Sequence, residues 1–171
     1  MSSEVTDTNE PVRSLRTPIG VTYDWVAGPG AGVYLQGLLD GRLIGGRCPS
    51  CHKVYLPARG GCPTCSVLID EPVELTDKGT VTSFCIVNVP FLGQKIPIPY
   101  VAANVVIDGA DIPFSHLILG CEDSEVRMGM RVEAVWKERG SEGWGPSLEN
   151  IDHFRPTGEP DAPFETYGHH L

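Results

Sequence analysis

The chain has 171 residues, 41% of them apolar, and 22 acidic against 13 basic residues give a formal charge of −9. This length suits one ordinary domain or a small domain with an added metal module, and no apolar run is long enough to span a bilayer. Because nucleic-acid affinity comes mainly from neutralising phosphates, the acidic balance argues against general DNA or RNA binding. The first ten residues lack the basic and apolar regions of a signal peptide, so we expect a cytoplasmic protein that does not associate with membranes.

The beginning of the chain, to about residue 18, is polar, acidic and interrupted by proline, and we expect it to be disordered or loosely attached. Tyr23 and Trp25 then form a short apolar patch. Over residues 31–43 apolar side chains recur near helical spacing, and Gly41 is suited to end a helix. The pattern predicts one short amphipathic helix, which packs on the module that follows it or on a partner protein.

Two C-x-x-C pairs separated by ten residues come next, formed by Cys48, Cys51, Cys62 and Cys65. Two such knuckles direct four sulfurs at one point, as a tetrahedral zinc site requires. The alternatives are two disulfides, which need an exported chain, or a redox motif, which needs no duplication. Four thiolates leave no open coordination position, so the pattern predicts a structural Zn²⁺. We expect His52 to be an exposed ribbon residue, and Cys85 and Cys121 to be buried small apolar residues.

Residues 41–69 contain no carboxylate but four basic side chains, Arg42, Arg47, Lys53 and Arg59. A basic ribbon on an acidic body is suited to a small phosphorylated ligand or to an acidic face of a partner. The alternative is that these four charges are solvated and have no further role.

Beyond the ribbon the apolar pattern changes to that of β-strands. Five segments are rich in β-branched and aromatic residues or alternate in polarity, and glycine or acidic turns separate them: 80–89, 100–107, 112–119, 131–137 and 147–154. Short strands at this spacing, with no helical run between them, predict a small barrel or sandwich.

Residues 90–99 carry three prolines and four large apolar side chains, Phe91, Leu92, Ile96 and Ile98. A central strand does not tolerate these prolines, so we predict an apolar loop. This loop either docks a partner or an acyl group, or folds over one end of the barrel. The proline-rich tail from residue 155 is predicted to lie along this domain or a partner, with His169 and His170 as polar ends.

No standard phosphate loop, nucleophile elbow or catalytic zinc motif is present in the sequence. Ser115 and His116 are adjacent in a predicted strand and therefore point to opposite faces, which does not make a nucleophile–base pair. We expect His116 to be a barrel histidine with satisfied hydrogen bonds, and Asp108 and Asp111 to be turn residues. No self-contained active site is recognisable.

Several motifs together carry a family resemblance: L-L-D-G-R-L, the ribbon C-P-S-C and C-P-T-C, then G-T-V-T-S-F, P-Y-V-A-A-N-V-V-I-D and G-M-R-V-E-A-V-W. Over residues 34–138 the chain resembles the zinc-ribbon plus OB-fold proteins of acyl-CoA metabolism, long classed as a domain of unknown function. The resemblance implies a mainly β fold with a short N-terminal helix, a rubredoxin-like zinc ribbon, a five-stranded OB-fold barrel and an extended C-terminal tail. The expected segments are a partly disordered N-terminal segment of residues 1–30, the helix with the zinc ribbon over residues 31–70, the OB-fold over residues 71–155 and the tail of residues 156–171.

This resemblance also implies a zinc-containing accessory subunit rather than an enzyme, bound to a thiolase-fold partner that holds the catalytic residues. Such pairs cleave or condense acyl-CoA thioesters by retro-aldol or Claisen chemistry, as in the degradation of steroid side chains. The four basic ribbon residues would then contact CoA phosphates. The expected hetero-oligomer is built on a partner dimer, with an interface formed by Trp25, Leu35, Leu38, Leu39, Phe91, Leu92, Ile96 and Ile98. The alternatives are an OB-fold module for single-stranded nucleic acid and a stand-alone acyl-CoA-binding enzyme.

Overall fold

A computed structural model of the chain describes residue 14, residues 16–17 and residues 19–170. The expected loose attachment up to about residue 18 therefore falls largely outside the described residues. The fold is mainly β, with one N-terminal helix, a three-stranded sheet and a closed five-stranded barrel, as predicted. None of the helices in the described part of the chain is long and apolar enough to cross a membrane.

Helix α1 (Pro29–Leu39) begins with a proline in its first turn, where the missing N–H is not needed. It ends where the sequence indicated, because Gly41 adopts the left-handed conformation at φ +68°. The helical pattern extended to residue 43, but the apolar residues from Leu43 onward form a buried strand instead.

That strand is the centre of a small antiparallel sheet in the order β2–β1–β3, comprising β1 (Leu43–Arg47), β2 (Val54–Tyr55) and β3 (Glu71–Leu75). Helix α1 lies closely against β1. A Cβ atom added to Gly37 would come within 2.5 Å of Cγ1 of Ile44, so the close approach depends on glycine at this position.

The barrel contains β4 (Lys78–Val87), β5 (Tyr100–Ile107), β6 (Phe114–Ile118), β7 (Arg131–Trp136) and β8 (Ile151–Pro156). Its strands close in the order β4–β5–β6–β8–β7, and the contact between β6 and β8 is parallel. Along β5 every second side chain is buried, as expected for a strand with one face in a core. All five predicted strands are present, which confirms the barrel.

The last strand starts later than its sequence pattern indicated. Residues Leu148–Asn150 form a 3₁₀ turn, and β8 begins at Ile151. The side chain of Asn150 is completely buried at this turn.

Beyond β8 the chain runs along the barrel to the one-turn helix α2 (Phe164–Tyr167), which a 3₁₀ turn at Gly168–His170 follows. Contacts that attach it include the pair of Lys78 with Glu159 at 2.6 Å, the pair of Arg127 with Asp161, and the hydrogen bond from the Ala162 amide to the Gly129 carbonyl. The tail therefore lies along this domain, which is one of the two placements expected for it.

Candidate metal centre and partner-binding surfaces

The four cysteines of the two C-x-x-C pairs come together at one end of the three-stranded sheet. All four sulfurs lie within 4.8 Å of one another. In each pair the backbone amide of the second cysteine donates to the sulfur of the first, from Cys51 to Cys48 and from Cys65 to Cys62, both at 3.4 Å. These N–H···S bonds stabilise thiolates, so the local backbone is already arranged for metal ligation.

The sulfur separations fit a tetrahedral zinc ion. Two ligands of an ideal tetrahedron with Zn–S bonds near 2.3 Å are about 3.8 Å apart. The sulfurs of Cys51 and Cys62 are 3.8 Å apart, and none of the four cysteines is in a disulfide. The four side chains are close enough to one another to hold a structural Zn²⁺.

Tyr55 supports the site from β2. Its buried hydroxyl lies 3.3 Å from the sulfur of Cys62, and donation of this hydrogen bond lowers the pKa of Cys62 to about 6. A depressed thiol pKa favours the thiolate form of Cys62 that binds zinc. A backbone hydrogen bond from Lys53 acts in the same direction on Cys51, but burial and the neighbouring cysteine sulfurs outweigh it and raise the pKa of Cys51 to about 11. The guanidinium of Arg59 lies over the outer part of the same ring, 5.5 Å from its centroid.

The other predicted features of the ribbon and the free cysteines are only partly confirmed. His52 is exposed, as expected. The prediction that Cys85 is buried is wrong, because β4 extends beyond the barrel wall at this point and its side chain is exposed. Cys121 is half-buried and packs against the main core.

Two of the four basic ribbon residues form ion pairs with acidic residues that lie before or after residues 41–69 in the sequence. Arg42 pairs with Glu74 at 3.2 Å and with Asp40 at 3.3 Å, and Arg47 pairs with Glu71 at 3.2 Å. The carboxylate-free sequence of residues 41–69 did not reveal these pairs, because β3 brings its two glutamates beside β1. Lys53 and Arg59 are exposed.

Much of the exposed apolar surface lies on a hairpin that we call the arm, residues 83–103. It contains the outer half of β4, the loop of residues 88–99 and the first residues of β5. Phe91 and Leu92 are exposed in the loop, Leu92 completely, and Ile98 is also exposed. The loop therefore does not cover the barrel end as a core plug, and this alternative is wrong. Ile96 is half-buried in a groove beside β6.

The remaining expected interface residues are divided between surface and core. Trp25 is 64% exposed within an extended apolar segment. On α1, Leu38 is completely buried in the main core, so its side chain is removed from any partner interface. Leu35 packs against that core, and Leu39 is half-buried.

His116 differs from its sequence interpretation. The prediction of satisfied hydrogen bonds is wrong for Nδ1, which is buried without a partner. The ring packs edge-on against Phe114 and Phe154, where no polar group reaches Nδ1. Burial lowers the pKa of His116, while the backbone at Leu148 opposes the shift.

The two aspartates near the β5–β6 connection are structural, as predicted. Asp108 accepts hydrogen bonds from both terminal nitrogens of Arg131, which fastens the end of β5 to β7. Asp111 accepts a 2.8 Å hydrogen bond from the backbone amide of Val54 and so links the barrel to the ribbon.

Two family models match consecutive parts of the chain. The model described as the ChsH2 rubredoxin-like zinc ribbon domain matches residues 35–69, and that of the ChsH2 C-terminal OB-fold domain matches residues 72–137. A DUF35 domain-containing scaffold protein of Methanocaldococcus jannaschii is 38% identical over 106 residues, which cover 59% of this chain and 74% of that protein. A protein of the same description from Pyrococcus furiosus is 33% identical over 97 residues, which cover 57% of this chain and 70% of that protein.

Solved structures share the fold. The Ltp2-ChsH2(DUF35) aldolase contains a chain that matches with a TM-score of 0.57 at 24% identity, over 78% of this chain and 98% of that one. A DUF35 protein of unknown function from Sulfolobus solfataricus matches with a TM-score of 0.56 at 22% identity, over 75% of this chain and 84% of that one. At these identities the matches show a common ribbon-and-barrel architecture.

Proposed function

Because the chain belongs to the DUF35 family and carries both ChsH2-type domains, we propose that it is the zinc-containing accessory subunit of a thiolase-like acyl-CoA lyase or aldolase. In this proposal the partner holds the catalytic residues and cleaves an acyl-CoA by retro-aldol or Claisen-type chemistry. Degradation of a steroid side chain is one reaction of this class.

The exposed apolar loop of the arm is the observation that carries the proposal. Large contiguous apolar patches are uncommon on monomeric proteins and mark interaction sites. Phe91 and Leu92 lie in the loop of the arm, and neither side chain packs into the main hydrophobic core. A protein that inserts such a loop into a partner gains affinity from burying these side chains.

The relatives support this interpretation. The solved relative is described as an aldolase of Ltp2 and ChsH2, so there the corresponding chain is found with a second protein. The archaeal relatives are described as scaffold proteins, a role that fits a subunit which organises others. In this chain the cysteine cluster would hold Zn²⁺ as a structural ion that fixes the ribbon beside α1.

The proposal also includes contacts between basic ribbon residues and the phosphates of CoA. Lys53 and Arg59 are exposed and have no ion pair among the described residues, whereas Arg42 and Arg47 are already ion-paired. An acyl-CoA held between the two proteins would therefore place its phosphates near Lys53 and Arg59.

The proposal is tested by co-expressing the chain with a thiolase-fold protein from its own organism and measuring complex formation and acyl-CoA cleavage. Leu92→Asp should abolish co-purification and reduce cleavage at least tenfold. Leu68→Asp is the matched control, since Leu68 is an exposed leucine on the ribbon. Partner activity that is undiminished without this chain, or turnover by this chain alone, would contradict the proposal.

A further inference from the structure

The outer edge of β4 leaves the barrel unpaired. Strand β7 pairs with β4 at Lys78, Gly79 and Thr80, and the last backbone bonds on that side involve Val81. The β4–β5 register then shifts between Val81 and Ser83, a bulge that bends the strand away from the wall. From Ser83 to Val87 the strand pairs only with β5, so alternate N–H and C=O groups on its other side have no backbone partner among the described residues. The side-chain amide of Asn88 donates a long 3.4 Å hydrogen bond to the Ile86 carbonyl, and no other strand covers this edge in the described part of the chain.

This edge lacks the devices that usually protect an open strand. Proteins blunt such edges with charged side chains, proline or very short strands. The outer strands of the ribbon sheet follow that rule, because β3 carries Glu71, Pro72 and Glu74, and β2 has two residues. By contrast, residues 79–94 contain no charged side chain, and Phe84, Cys85 and Ile86 are all exposed.

An unprotected edge of this kind is an interface for another strand. The sequence of the edge is suited to a second copy of itself. In an antiparallel pair about a two-fold axis at Cys85, Phe84 of one chain lies opposite Ile86 of the other, on both sides of the axis. Aromatic and β-branched residues are favourable cross-strand neighbours, and here no like charges face each other.

Charge restricts where two copies can meet. Each chain carries a formal charge of −9, so two copies repel each other unless they meet where charge is absent. The outer part of β4 and the loop as far as residue 94 carry no charge, so two copies can meet there while their charged barrels stay apart. Two-fold dimers with one self-complementary patch are the commonest oligomers.

We propose that two copies of this chain associate through antiparallel pairing of the outer edge of β4, residues 83–87, and join two arms into one four-stranded sheet. The inference does not depend on the proposed function, because the thiolase-like partner is assigned to the loop around Leu92 and not to this edge. A dimer can therefore fail while the partner contact holds, and the reverse is also true.

The test is the mass in solution of the purified, zinc-loaded full chain at tens of micromolar, measured by light scattering on a sizing column. Wild type and Cys85→Ser should have the mass of a dimer. Cys85→Lys, which places two ammonium groups opposite each other on the axis, should raise the dissociation constant at least tenfold. Because Cys85 is exposed, the lysine variant should unfold at the same temperature as wild-type monomer.

A short bis-maleimide gives a second readout that needs no folding-sensitive substitution. It should link two wild-type chains through Cys85, and Cys85→Ser should remove that product. A monomeric wild type, or a dimer unaffected by Cys85→Lys, would overturn the inference. The inference would also be overturned if Cys85→Lys abolished binding of a different protein while this chain still associated with itself as the wild type does.

Discussion

The side-chain amide of Asn150 donates a 2.9 Å hydrogen bond to the backbone carbonyl of Leu38, which joins the end of helix α1 to the turn before the last barrel strand. The same amide group donates to the Gly145 carbonyl at 2.6 Å, and its oxygen accepts from the Gly145 amide. Trp144 adds a parallel bond to the Leu39 carbonyl. The final carbonyls of α1 are therefore satisfied by the barrel, and helix and barrel form one unit.

Asn150→Ala should lower the free energy of unfolding by about 1–3 kcal/mol, because it leaves buried backbone groups without hydrogen-bond partners. Asn88→Ala is the control, since Asn88 is exposed on the arm and should change stability by less than about 0.5 kcal/mol. Urea unfolding followed by fluorescence measures both. Equal stabilities of the two variants would show that the helix does not depend on this contact.

This connection also shows where sequence reasoning ends. The cysteine pairs, the helix end at Gly41 and the five barrel strands follow from local pattern, and all are confirmed. The role of Asn150 depends on a contact with a residue far away in the chain, which no local pattern reports.

The two wrong predictions at the barrel have the same origin. Cys85 lies in an apolar stretch, but burial depends on whether a neighbouring strand covers that part of β4. His116 lies in a regular strand, but its hydrogen bonding depends on which rings pack around it. The ion pairs of Arg42 and Arg47 escaped prediction because β3 supplies their glutamates by pairing with β1.

Two glycines of α1 should respond in opposite ways to alanine. At Gly37 a new Cβ would come within 2.5 Å of Ile44 Cγ1 and 3.1 Å of the Arg42 carbonyl oxygen. Gly37→Ala should therefore destabilise the protein by about 1–3 kcal/mol. At Gly32 no atom lies within 4 Å of the new Cβ, so Gly32→Ala should stabilise by about 0.5–1 kcal/mol. Thermal unfolding of both variants checks the pair, and destabilisation at both positions would contradict the tight contact between α1 and β1.

Zinc content tests the metal centre. Purified wild-type protein should contain about one zinc per chain by elemental mass spectrometry, as four thiolates of one site require. Cys62→Ser should lose the metal and melt at a lower temperature, because the ribbon depends on zinc for its fold. Cys85→Ser should keep both properties, since Cys85 lies on the arm. Full zinc retention by Cys62→Ser would contradict the assignment of the four ligands.

Stability should depend on pH through His116. Burial lowers the pKa of His116, so the unfolded chain binds the proton more readily than the folded chain. The contribution of neutral His116 to the free energy of unfolding is fully present above the ordinary histidine pKa of about 6.5. It is lost as the pH falls through the lower pKa that His116 has in the folded protein. His116→Leu should reduce the difference in urea midpoint between pH 7.5 and 5.5.

The pH experiment has a control in His52→Gln, because His52 is exposed on the zinc ribbon, whereas His116 lies in barrel strand β6. Loss of zinc in acid affects wild type and both variants equally, so the comparison isolates His116. An unchanged pH difference in His116→Leu would show that other groups produce it.

We propose that this chain acts as the accessory subunit of a thiolase-fold, acyl-CoA-cleaving partner. The most direct measurement is native mass spectrometry of the tagged chain isolated from its own organism, followed by acyl-CoA cleavage assays of the isolated complex with and without this chain. We expect a stoichiometric thiolase-fold protein whose cleavage activity or stability falls at least tenfold when this chain is removed. A chain recovered without such a protein, or a partner that is stable and fully active alone, would contradict it.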